Sequence, residues 1–154
     1  MDIGYLADHE AFIPELAQLH FSEWGHYRPG DTVEERIERL RGCCGKGDIP
    51  LVVVGLLGSV LCGSAMLVAH DMESRPELTP WLAGVYVKPP FRRSGYAASL
   101  ISRIEAEARA MGIPRLFLYT KDSESLYIRL GWSGTERCQY KGIDVTVMSK
   151  QLAA

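Results

Sequence analysis

Two short stretches carry residues whose types and spacing fit chemistry. The first is Arg92-Arg93-Ser94-Gly95-Tyr96-Ala97, set between an apolar run at residues 82–87 and a helical pattern that follows it. A strand that delivers a short loop onto the first turn of a helix creates an anion site, because the leading N–H groups of the helix have no carbonyl partners within it. Gly95 lets backbone pass close to a ligand, and small Ala97 and Ala98 keep side chains off the helix mouth. Bonds from such amides to a charged oxygen are worth about 1.5 to 3 kcal/mol each, and the helix dipole adds roughly 0.3 to 1, so several together hold a pyrophosphate. A Walker A loop would need Gly-Lys-Ser/Thr after its second glycine, and a dinucleotide fingerprint three glycines at fixed offsets; the loop has neither. The second stretch is Tyr127, four residues ahead of Gly131-Trp132. On a short helix it lies about 100° around from Leu126, so it either points away from a Leu126/Leu130 stripe toward a cleft or packs in the core with its hydroxyl on a carbonyl.

These groups need a frame. Ala97, Leu100, Ile101, Ile104, Ala108 and Met111 recur on one face of a helix, with Glu105 and Arg109 paired outside the stripe, and Gly112 and Pro114 end it. Upstream, residues 1–5 predict a short strand. Residues 11–24 predict a helix with Phe12, Leu16, Leu19 and Phe21 near helical spacing and Pro14 in its first turn. Asp31 or Thr32 caps a second helix, Thr32 to Glu35 fitting a capping box, with Val33, Ile37 and Leu40 as its apolar side. Residues 51–57 and 60–70 form a hairpin joined at Gly58-Ser59, with a bulge at Gly63. Past the long helix come a strand at 116–120, a short helix at 123–130 stopped by Gly131, and strands at 132–139 and 143–149. The fold class is therefore α/β, a mixed sheet of about six to seven strands with about four helices in the order β-α-α-β-β-β-α-β-α-β-β.

Arg92-x-x-Gly95-x-Ala97 resembles the acetyl-CoA-binding segment of the GNAT superfamily of N-acetyltransferases, and Tyr127, Gly131 and Trp132 match a second pattern of that family. The element order resembles the GNAT fold across nearly the whole chain. The resemblance implies acetyl-CoA as co-substrate, with main-chain bonds from Val85, Tyr86 and Val87 to the pantetheine arm. It implies that the backbone of Arg92, Arg93, Ser94, Gly95, Tyr96 and Ala97 holds the pyrophosphate, with Arg92 and Arg93 either adding charge or solvated, and that Tyr127 is the general acid. Where many members have Asn after the strand preceding the short helix, this chain has Thr120-Lys121-Asp122. Many relatives also carry a Glu on the central strand that relays the amine proton, whereas residues 81–87 contain no carboxylate. The base stays unassigned among Glu77, Asp71, Glu73, His70, His26, an ordered water and a backbone carbonyl.

A base matters, because an amine of pKa about 10.4 is neutral in only about one molecule in 2500 at pH 7, equivalent to roughly 4.6 kcal/mol. The expected activity is direct acetyl transfer from acetyl-CoA to a primary amine, on a small molecule, a peptide or protein N-terminus, or a lysine. A non-catalytic acyl-CoA-binding or regulatory module is the alternative. Phe21, Trp24, Tyr27, Trp81 and Tyr140 near Glu23, Asp31 and Asp71 fit a cationic amine beside an apolar group, or core packing equally well.

The bulk composition agrees with an enzyme domain. At 154 residues, 47% hydrophobic and 23% charged, the chain is expected to form a single domain over residues 1–154. A net charge of −2 with no basic run gives no pull toward nucleic acid or an anionic membrane. The apolar run at 50–69 is interrupted by Gly55, Gly58, Ser59, Gly63 and Ser64 and reads as strands, not a membrane span. No secretion signal is recognisable, and Cys43, Cys44, Cys62 and Cys138 match no metal spacing. The expectation is a cytoplasmic monomer or homodimer with reduced thiols and no metal.

Overall fold

The computed structural model describes residues 1–153. Its architecture follows from one strand, β2 (Leu51–Leu57), which is apolar on both faces because each face serves a different core. Val52, Val54 and Leu56 pack with Leu6, Ile13, Leu16 and Leu40 on one side, while Leu51 and Val53 join Leu67, Leu100, Ile101 and Ile104 on the other. The helices that supply these partners are α1 (Ile13–Trp24) and α2 (Val33–Arg41) on the first face, and α3 (Tyr96–Ala110) on the second. The remaining elements are β1 (Asp2–Tyr5), β3 (Val60–Val68), β4 (Trp81–Val87), β5 (Arg115–Thr120), α4 (Glu124–Arg129), β6 (Ser133–Tyr140) and β7 (Ile143–Gln151).

The strands form one seven-stranded sheet in the order β1-β2-β3-β4-β5-β7-β6. All neighbours are antiparallel except β4 and β5, which α3 connects as a crossover. Only Trp81 and Phe117 are paired between those two strands. Beyond that pair β4 and β5 part, and the sheet is open along one edge of β4.

Two bulges shape the strands around this opening. Gly55 faces Gly63 but Leu56 faces Leu61, so Cys62 is the extra residue beside Gly63, where a Cβ would strike the Tyr86 carbonyl. On β4, Tyr86 faces Ser64 but Ala83 faces Met66, and the extra residue falls at Gly84, whose φ of 57° favours glycine.

Most predicted elements are present with shifted ends, and three local readings are corrected. In α1 the buried face is Ile13, Leu16, Ala17 and His20; of the expected stripe Leu16 is fully buried, Phe12 and Leu19 are part-buried against the same core, and Phe21 is part-buried. Glu105 is not on the solvent side of α3: it is 5% exposed, accepts from Lys150 Nζ at 2.7 Å and Trp132 Nε1 at 3.2 Å, and has Arg109 at 3.7 Å. On α4 the buried residue is Tyr127, while Leu126 and Leu130 are intermediate. The Thr32 cap is as read, its hydroxyl accepting from Glu35 N at 3.1 Å. Among the described residues no helix is long and apolar enough to cross a membrane.

Candidate functional site

At the C-terminal end of β4 the chain makes a short 3₁₀ turn at Pro89–Phe91 and then the loop into α3. Two loop residues, Arg93 (φ 63°) and Gly95 (φ 78°), are left-handed. A non-glycine residue held there costs of order 1 to 3 kcal/mol, and such strain collects where a backbone is shaped for a ligand. Alternation of this kind turns successive N–H groups toward one concavity. The N–H groups of Arg93, Ser94, Gly95, Tyr96, Ala97 and Ala98 have no hydrogen-bond partner among the described residues; the first bond of the helix is Ser99 N to Gly95 O at 3.1 Å. A Cβ built on Gly95 meets nothing within 4 Å, so the space before the amides is open. The loop therefore fits a diphosphate.

The side chains of the two arginines divide. Arg92 Nε donates to Val87 O at 2.8 Å and its guanidinium lies 5.8 Å from the Tyr86 ring, which fastens the loop to β4. Arg93 is exposed and makes no ion pair among the described residues.

Along β4, Lys88 N donates to Cys62 O at 2.8 Å. Strand alternation then turns the Tyr86 main chain toward β3 and leaves Val85 and Val87 facing the opening, where Arg92 already occupies the Val87 carbonyl. This corrects the expectation for Tyr86, whose contribution is its ring. That ring meets His20 at 6.2 Å and Trp24 at 6.1 Å, both edge-on.

A feature that the sequence reading missed lies behind this edge. His20, 3% exposed, is 2.9 Å from Ser64 Oγ, and Ser64, fully buried, donates to Gly84 O at 2.8 Å. Since the hydroxyl has one proton and gives it to Gly84, His20 Nε2 must be the donor to Ser64, so the ring is protonated on Nε2. Burial, helped by the charge of Arg36, lowers the His20 pKa to about 3, so the ring is neutral. The pair holds the bulged carbonyl of Gly84 in place.

The opening between β4 and β5 continues into a cleft of about 680 Å³ lined by Gly84, Val85, Tyr119 and Tyr127 and rimmed by Trp24, Tyr27 and Tyr140. Tyr127 is 7% exposed, its ring T-shaped against Trp132 at 6.0 Å. Its hydroxyl has no partner among the described residues and is not a sealed unsatisfied group, so it opens on the cleft. Burial raises its pKa to about 12. Thr120, Lys121 and Asp122 line the same wall. Asp71, His70 and Glu73 line the cleft, but Glu77 and His26 do not. Trp81 is fully buried, and Asp31 is sealed beneath Arg36 (2.5 Å) and Arg39 (2.8 Å). Burial pushes the Asp31 carboxyl up, but the two guanidinium groups outweigh it and hold it low.

A run of free amides after β4, a cleft where β4 and β5 part and a phenol on its wall suit a transferase that takes its donor from a diphosphate-bearing carrier. The chain belongs to the acetyltransferase (GNAT) family, whose model matches residues 13–132. It is similar to an aminoglycoside N(6')-acetyltransferase type 1 of Serratia marcescens, 32% identical over 138 residues that cover 86% of this chain and 92% of that protein. Among solved structures it resembles an aminoglycoside 6'-N-acetyltransferase complexed with coenzyme A, at a TM-score of 0.80 and 14% identity, covering 100% of this chain and 98% of the other. It also resembles yncA from Salmonella typhimurium with acetyl-CoA, at a TM-score of 0.76 and 20% identity, covering 98% and 93%. The sheet and helix order are those of these folds.

Proposed function

We propose that the chain acetylates the primary amine of a small molecule, with acetyl-CoA held by the amides of the β4–α3 loop. The observation that carries this reading is the run of unpartnered N–H groups from Arg93 to Ala98 at the start of α3, on the loop that leaves the strand parted from β5. When bound, acetyl-CoA supplies an acetyl thioester. The main chain of Val85 faces the path of its arm, and the Tyr127 hydroxyl faces the place where a thiolate would leave. Cys43 also lines the cleft, but burial and neighbouring Cys44 raise its thiol pKa, which disfavours the thiolate needed for an acyl-enzyme. Transfer is direct. The four thiols are unpaired in the structure, which supports a cytoplasmic setting.

The similarity to aminoglycoside 6'-N-acetyltransferases makes an aminoglycoside 6'-amine the first acceptor to try. One observation favours a second acceptor class. The cleft presents Arg28, Arg36, Arg39, Lys121 and Lys141 against Glu23, Asp71, Glu73 and Asp122, so its charges nearly cancel, whereas a polycation would be held best by a net acidic wall. An amine of low net charge, or one bearing a carboxylate, fits that balance. Turnover of acetyl-CoA with kanamycin A, with simple aromatic amines and with dipeptides separates the two. Thermal shift with CoA tests the donor site, since only a ligand of the native state raises the melting temperature. No CoA shift and no turnover with any amine would overturn the assignment.

A further inference from the structure

The cleft holds a carboxylate that nothing in the protein engages. Asp71 follows β3, and Met72 beside it is 1% exposed and packs with Trp81, Val145 and Val147, which anchors the loop at this point. Glu73 N donates to Tyr140 Oη at 3.1 Å and pins the other side. Asp71 itself makes no hydrogen bond and no ion pair among the described residues, although it is part-buried and lines the cleft. The other acids of the cleft, Glu23, Glu73 and Asp122, are exposed. β4 carries no carboxylate at all. A rigidly mounted, unpartnered carboxylate facing the same cleft as Val85 and Tyr127 is where an ammonium ion would come to rest.

We propose that Asp71 is the general base that removes the proton of the acceptor amine. This rests on the N-acetyltransferase reading above. The ammonium gives one proton to Asp71 Oδ, which later passes it to solvent. The freed nitrogen lone pair attacks the thioester carbonyl carbon, the C–N bond forms, and the C–S bond breaks with its electron pair on sulfur. The second nitrogen proton passes to water as the amide forms, and the thiolate takes a proton from water or from Tyr127, which regains it from water.

The surroundings of Asp71 suit the role. Facing it are Tyr119 of β5, Tyr140 of β6 and Lys141 of the β6–β7 turn, with His70 and Glu73 on its own loop. Burial raises its pKa to about 7 against the opposing pull of Lys141, close to where a base works best at neutral pH. Burial and the charges of Asp71 and Tyr140 raise the Tyr119 phenol further, so it stays protonated and does not compete for the role.

The test is steady-state kinetics of Asp71→Asn on kanamycin A and on every other amine that the wild type acetylates, with CoA affinity measured alongside. The expected result at pH 7 is a kcat lower by about 100-fold or more with CoA binding unchanged, the deficit shrinking as pH rises toward 10 and the amine loses its own proton. Lys141→Met is expected to move the acidic limb of kcat/KM to higher pH. Wild-type kcat in Asp71→Asn, or a raised KM with kcat intact at every pH, would reduce Asp71 to a group that at most holds the ammonium and would overturn the proposal. Should Asp71→Asn fail to fold by thermal melting, Asp71→Ser carries the same comparison. If the wild type acetylates no amine, both readings fall; if it does and Asp71→Asn matches it, only the base is lost.

Discussion

At the scale of single residues, the proposed reading gives Tyr127 the proton and Gly95 the phosphate. Tyr127 titrates near 12, so it carries its proton throughout the neutral range. A thiolate leaving group, by analogy with cysteine at about 8.5, is a weaker base than a tyrosinate, so donation from the phenol helps without being decisive. Tyr127→Phe keeps the ring against Trp132 and removes only the hydroxyl. Its kcat is expected to fall by roughly 10- to 1000-fold with little change in CoA affinity; wild-type kcat would assign the residue to packing. Gly95 acts through what it lacks. A Cβ at Gly95 meets no protein atom, so the fold of Gly95→Glu should survive at a cost of about 1 kcal/mol for the left-handed backbone, while a carboxylate placed before the free amides should abolish CoA binding. Calorimetry that found unchanged affinity in the folded variant would remove the phosphate site from this loop.

At the scale of elements, the strand that borders the opening carries a bulge on its other edge, toward β3. The Gly84 carbonyl leaves the β ladder and is taken by Ser64, which His20 orients. Ser64→Ala strands two buried polar groups and is expected to cost about 1 to 3 kcal/mol in urea unfolding. It should also weaken CoA binding, because Val85 follows the bulge directly. A loss below about 0.5 kcal/mol with normal affinity would show that the bulge stands without this bond. Sequence pattern could not reveal it, since a bulge exists only in the register between two strands, and Ser64 and His20 are 44 positions apart. The β4–loop–α3 unit was legible because it is local: strand, glycine and a helical stripe adjoin in the chain. In α1 the spacing of Phe12, Leu16, Leu19 and Phe21 finds the core at Leu16 but misses the phase that buries Ile13 and Ala17 and takes His20 inward, since a histidine does not announce an apolar face. The pairing of Glu105 with Arg109 is legible along the helix and is present, but the burial of Glu105 is not, because Lys150 comes from the far end of the chain. Asp71 was visible as one of several loop acids, and its isolation required the cleft.

At the scale of the whole molecule, the titrations of buried His20 and part-buried Asp71 oppose each other. His20 holds a pKa of about 3 in the fold against an ordinary 6.5. Between those values the unfolded chain binds a proton that the folded one refuses, so stability falls as pH drops from about 6.5 toward 3, by at most about 1.4 kcal/mol per pH unit. Asp71 runs the other way. With a folded pKa of about 7 and an ordinary value of 3.8, the fold retains a proton that the unfolded chain has released, so stability falls as pH rises from about 4 to 7. Across pH 4 to 6.5 the two slopes offset one another, and below about 4 the lowered carboxyls of Asp31 and Glu136 begin to lose their own contributions. Asp71→Asn removes one side of the balance. It is expected to be more stable than wild type at pH 8, where the wild-type fold must hold a part-buried carboxylate, and to lose stability more steeply on acidification, with the slope of His20 alone. His20→Gln should show the reverse tilt, and the double variant should return to a flat profile over that window. Urea midpoints taken every half pH unit from 4 to 8 decide the matter: a wild-type slope in Asp71→Asn would mean that its carboxyl titrates as an ordinary solvated acid, and the cleft would then lack the dry surroundings that set a base near neutrality.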